Sequence, residues 1–77
     1  TRDALLRLIQ LMVDQPDDVV LDEIPGREST LFELQVAADD LGKVIGRQGR
    51  TARSLRSLLS ARSDQDGERY EFEILEI

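Results

Sequence analysis

Apolar side chains recur at helical spacing over residues 3–14, where Leu5, Leu8, Ile9, Met12 and Val13 make one stripe. This is the pattern of a helix with one face on a core. Leu6 and Leu11 lie off the stripe and widen the apolar surface. Either a sheet covers that surface or it feeds a contact with a second molecule. Pro16 ends the helix, because its ring disfavours helical geometry at Gln15. Asp14 to Asp18 then form the connecting turn. Val19 to Ile24, rich in β-branched residues, predicts a short strand closed by the Pro25-Gly26 turn. From Thr30 to Ala37 the period becomes two. Phe32, Leu34 and Val36 share one face and Glu33 and Gln35 the other, so one face packs on helices and the other meets water.

Asp39 and Asp40 open a short helix running to Ile45, since acidic residues favour the positive end of a helix, and Gly46 stops it. A longer helix is predicted from Arg50 to Arg62, with Ala52, Leu55, Leu58 and Leu59 facing inward. Ser63 to Gly67 reads as a polar loop. A last strand covers Arg69 to Leu75, with Tyr70, Phe72 and Ile74 inward and Glu71 and Glu73 outward. The order α-β-β-α-α-β, with three strands and helices on one face, is that of a two-layer α+β fold. One domain over residues 1–77 is expected from a chain of this length.

Composition narrows the chemistry. There is no cysteine and no histidine, which removes disulfides, thiolate metal sites and the usual general base. No apolar run is long enough to span a membrane, and no cofactor site is apparent. The formal charge of −6 argues against nucleic acid, but its distribution argues the other way. Lys43, Arg47, Arg50, Arg53, Arg56 and Arg62 fall in one stretch without Asp or Glu, while the other 4 basic residues share the rest of the chain with all 16 acidic ones. A block of +6 therefore sits inside a body of −12. With screening over about 8 Å at physiological salt, local charge outweighs the total.

The segment Gly42 to Thr51, GKVIGRQGRT, joins the two middle helices. Its glycines at 46 and 49 permit conformations closed to other residues and a close approach by another chain. The second precedes a helix, whose first amides lack internal partners and attract anions. A nucleotide P-loop is excluded, because Val44 stands where its first glycine belongs, Arg50 replaces its lysine, and a helix precedes it. A dinucleotide loop lacks its glycine pair and its strand. A helix-turn-helix unit is disfavoured by the three strands.

Val44-Ile45-Gly46-Arg47-Gln48-Gly49 resembles the V-I-G-x-x-G signature of the KH RNA-binding domain, and the element order resembles its type II form. Asp17-Asp18-Val19 after a proline, Asp39 through Gly46, and Gly49-Arg50-Thr51-Ala52 followed by Leu55-Arg56 are similar to the small single-KH RNA-binding proteins of bacteria. Ala52 departs from the larger aliphatic residue of many KH domains.

The resemblance implies a groove that holds about four unpaired nucleotides. Gly46 and Gly49 let the sugar-phosphate backbone come close, and Arg47 and Gln48 touch phosphates. Arg50 and Arg53 extend the positive wall, Lys43 counts among the RNA-binding residues, and Val44 and Ile45 floor the groove beneath the bases. The facing wall comes from the sheet edge. The resemblance also implies a non-catalytic, cytoplasmic chain whose partner is single-stranded RNA. It further implies self-association or pairing with a larger KH-containing protein, in RNA-chaperone or post-transcriptional roles. Arg56 and Arg62 are assigned instead to the solvent face or to acidic neighbours, and Lys43 can pair with Asp39 or Asp40 across one turn. Asp14, Asp17, Asp18, Asp22 and Glu23 form an acidic rim that repels RNA from the wrong face. The competing reading is a protein-interaction module that acts through its helix surface.

Overall fold

The computed structural model describes residues 1–76. Helix α1 spans Arg2–Met12, strand β1 Val20–Pro25, β2 Thr30–Gln35, helix α2 Leu41–Ile45, α3 Arg50–Asp66 and strand β3 Tyr70–Ile74. Single 3-10 turns at Pro16–Asp18, Ala38–Asp40 and Arg47–Gly49 link them. The expected α-β-β-α-α-β order is present. The sheet runs β1-β2-β3, with β1 antiparallel and β3 parallel to β2. A hairpin joins the first pair, whereas parallel pairing needs a crossover, and α2, the glycine loop and α3 supply it.

Strand alternation sorts the sheet into two faces. Leu21, Phe32 and Leu34 are buried toward the helices, where Leu5, Ile9, Val44, Leu55 and Leu59 meet them. Full burial of each such side chain contributes about 1.5–3 kcal/mol. Tyr70, Phe72 and Ile74 pack against this cluster half-buried, and Tyr70 meets Phe32 edge-to-face at 5.4 Å. On the other face Asp22 lies opposite Glu33, and Glu33 opposite Glu73. One rung across the sheet is therefore acidic throughout.

Several boundaries differ from the sequence expectation, each for a tertiary reason. The first helix closes at Met12, and Val13 is extended, because the amides of Asp14 and Gln15 turn to the Asp40 carboxylate. The second strand stops at Gln35, and the chain turns at Ala38–Asp40 before α2 begins at Leu41. The anticipated polar loop at residues 63–66 is the last turn of α3. An Arg62–Asp66 ion pair at 3.1 Å and a Tyr70 hydroxyl donating to Asp66 at 2.6 Å hold that turn. Gly67, at φ 68°, ends the helix, its N–H donating to the Ser63 carbonyl. Leu58, expected inward, is 56% exposed, and Leu8 is also open to solvent, whereas Leu6, off the stripe, packs on the core.

Candidate functional site

The glycine loop is a tight backbone construction. The Gly46 N–H donates to the Gly42 carbonyl at 2.8 Å, ending α2, and the Gly49 N–H donates to Gly46 at 3.1 Å. Three residues take positive φ: Gly46 at 78°, Gln48 at 56° and Gly49 at 73°. The two glycines do different work. A Cβ on Gly46 would lie 2.8 Å from the Cβ and backbone nitrogen of Thr51, so the loop's own chain fills that space. Among the described residues, a Cβ on Gly49 would meet nothing within 4 Å. Gly46 therefore closes the turn, and Gly49 leaves bare backbone facing open space.

Gln48 is the loop's strained residue, since a left-handed conformation costs a non-glycine residue about 1–2 kcal/mol. Two arginines from the first turn of α3 support it. Arg53 donates to the Gln48 carbonyl at 3.1 Å, and Arg50 reaches its side-chain oxygen at 3.4 Å. No side chain caps the first turn of α3. Arg47, Arg50 and Arg53 thus crowd the positive end of a 17-residue helix dipole.

Beside the loop lies an open groove of about 360 Å³, lined by Ile45, Gln48, Gly49, Ala52 and Arg53 on one side and reaching Arg56, Ile74 and Glu76. Ile45 lines this groove. Val44 does not: at 0% exposure it belongs to the core, because adjacent positions on a helix point about 100° apart. Lys43, counted among the RNA-binding residues, is not part of the groove lining either. Its ammonium pairs with the Asp14 carboxylate and lies 3.7 Å from Asp40. These contacts raise its pKa, the Asp14 hydrogen bond most, and a charge so occupied adds little to the groove.

The sequence model of the family described as KhpA/KhpB, KH domain matches residues 2–74. The chain belongs to this KH family. A protein of Borreliella burgdorferi named RNA-binding protein KhpA is 44% identical over 69 residues, covering 90% of this chain and 84% of that one. Its namesake in Clostridium acetobutylicum is 38% identical over 74 residues, covering 96% and 99%. A third, in Treponema pallidum, is 42% identical over 69 residues, covering 90% and 86%. No solved structure gives a significant match.

In this KH domain the structure adds groove residues that sequence reasoning did not reach. Ile74 and Glu76 form the facing wall, because β3 is the sheet edge nearest α3. Arg56, assigned to solvent or acidic neighbours, is exposed and makes no ion pair among the described residues; it lines the groove, its guanidinium 5.9 Å from the Phe72 ring centre. Its spacing of three from Arg53 was the available signal. Arg62, as expected, serves an acidic neighbour, Asp66. Asp40 is 1% exposed yet charged. Burial works against its ionisation, but the amides of Asp14 and Gln15 and the Lys43 cation outweigh it and hold the carboxyl below its usual range. No helix among the described residues is long and apolar enough to cross a membrane.

Proposed function

We propose that the chain binds single-stranded RNA by gripping the sugar-phosphate backbone at the loop and seating bases in the adjoining groove. The observation that carries this reading is the open space over Gly49, at the uncapped start of α3, between Arg47, Arg50 and Arg53. A phosphate there meets helix amides, the dipole and three guanidinium groups at once. Gly46 shapes the turn, Gln48 and Arg47 face the strand, and Ile45 offers apolar surface to a base. Names of close relatives as RNA-binding proteins support the same reading. The role that follows is that of an RNA chaperone or post-transcriptional regulator in the cytoplasm.

Titration of a labelled single-stranded RNA tests it. The wild-type chain binds, whereas Gly46→Asp/Gly49→Asp and Arg47→Asp/Gln48→Asp abolish binding. Unchanged affinity in a folded loop variant would refute the proposal.

A second reading rests on the exposed leucines. Leu11 is 74% exposed, and Leu8 and Leu58 border a depression between α1 and α3. This surface suits a protein contact, either with a second copy or with a larger KH-containing protein. Sizing in solution, alone and with RNA, distinguishes a monomer from an assembly.

A further inference from the structure

The groove ends in two unlike chemistries. Gly49 and Arg53 at the loop belong to the backbone grip. Away from the loop the lining is Arg56, Ile74 and Glu76. The Arg56 guanidinium rests over Phe72, and among the described residues it makes no ion pair or hydrogen bond. The negative face of the ring attracts the cation and leaves its N–H groups free. Glu76 is exposed, and no cation lies within ion-pair distance among the described residues. A carboxylate in a groove that otherwise presents arginines repels phosphate, and it can only accept hydrogen bonds. It suits the donor groups of a base.

No aromatic side chain lines the slot, so a base there is held by its edges, with Ile45, Ala52 and Ile74 against its faces. The available chemistry is a two-oxygen acceptor beside a planar donor fork. Guanine alone among the four bases carries two adjacent donors, N1–H and N2–H, on its Watson–Crick edge. Its O6 and N7 also form the acceptor pair that a guanidinium reads best. Uracil places one donor between two acceptors, and adenine and cytosine each offer one amino group.

We propose that Arg56 and Glu76 make the groove selective for guanine, with Glu76 accepting from N1–H and N2–H and Arg56 donating to O6 and N7. This rests on the reading of the groove as an RNA site.

The test uses short, labelled, adenine-rich single strands, all adenine or carrying one guanine, cytosine or uracil. The wild-type chain should bind the guanine strand about tenfold tighter than the all-adenine strand, the discrimination typical of one bidentate contact. Glu76→Gln and Arg56→Lys should bring that ratio close to one, whatever each does to the affinity for the all-adenine strand. Equal binding of all four strands by the wild type overturns the guanine assignment alone, as does a preference for cytosine or a ratio that survives both substitutions. Failure of the wild type to bind any strand overturns the RNA reading and this inference with it.

Discussion

The buried carboxylate of Asp40 accepts the backbone N–H of Gln15 at 2.9 Å. Its other oxygen takes the Asp14 N–H at 3.1 Å, so one side chain fastens the end of α1 to the start of α2. Because α2 has only five residues, this anchor sits one short helix from the glycine loop. Asp40→Ala leaves two amides without a partner, and an unmet buried donor destabilises more than a lost neutral contact. The melting temperature should fall for Asp40→Ala and fall less for Asp40→Asn, which keeps one acceptor. Thermal unfolding followed by circular dichroism checks the ranking.

The two loop glycines should respond differently to alanine. Gly46→Ala combines a positive φ with a collision against Thr51, and should cost about 3 kcal/mol. Gly49→Ala meets only the left-handed penalty of about 1–2 kcal/mol. Urea denaturation measures both. Gly49→Ala should nonetheless weaken RNA binding in the folded protein, since its methyl group occupies the space left for the strand.

Arg47, Arg50 and Arg53 are assigned to phosphate. Replacing Arg47 or Arg50 with Ala should lower affinity for all single strands alike. Each should flatten the slope of log K against log salt by about 0.7. Titrations at several salt concentrations measure this, and an unchanged slope would place that arginine away from the backbone. Arg53→Ala should lose more, because it also releases the Gln48 carbonyl.

Stability should hold across neutral pH and fall at both extremes. The Tyr70 hydroxyl and Arg62 lower the pKa of Asp66, as the two amides and Lys43 do for Asp40. A carboxyl with a depressed folded pKa contributes fully above its unfolded value of about 4, and that contribution is lost as pH falls through the folded value. Lys43, raised chiefly by Asp14, and Tyr70, raised chiefly by Asp66, act in the opposite direction. Their contribution is complete below about 10 and is lost as pH climbs through their folded values. Chemical denaturation at a series of pH values should give a plateau between these limits.

The acidic rung on the outer sheet face is a removable strain. Glu33 has Asp22 on one side and Glu73 on the other. Like charges directly opposite across strands are unfavourable, and Glu33→Thr should raise stability by about 0.5–1 kcal/mol. Added salt should narrow the difference between variant and parent.

Much of this architecture was legible because each element is short and its period clear. Phe32 and Leu34 alternate as strand residues do, and Gly46 and Gly49 frame the loop by spacing alone. What escaped depended on partners distant in sequence. Residues 63–66 carry no apolar periodicity, and their helical turn exists because Asp66 meets Tyr70 and Arg62. Lys43 is drawn from the groove by Asp14, 29 residues earlier. Val44 and Ile45 are neighbours of equal hydropathic character, and only the packing of α2 decides which enters the core. The facing wall could not be assigned because nothing local says that β3 lies parallel beside β2.

That parallel pairing sets an order of events during synthesis. Thr30 finds its neighbour in Tyr70 only after α2, the loop and α3 have been made. The β1–β2 hairpin and the glycine turn are closed by local contacts, whereas Phe32 meets Tyr70, and the slot gains Ile74, only when β3 docks. The groove is thus a late product of folding: its loop is closed by local bonds, but its far wall exists only once the crossover is complete.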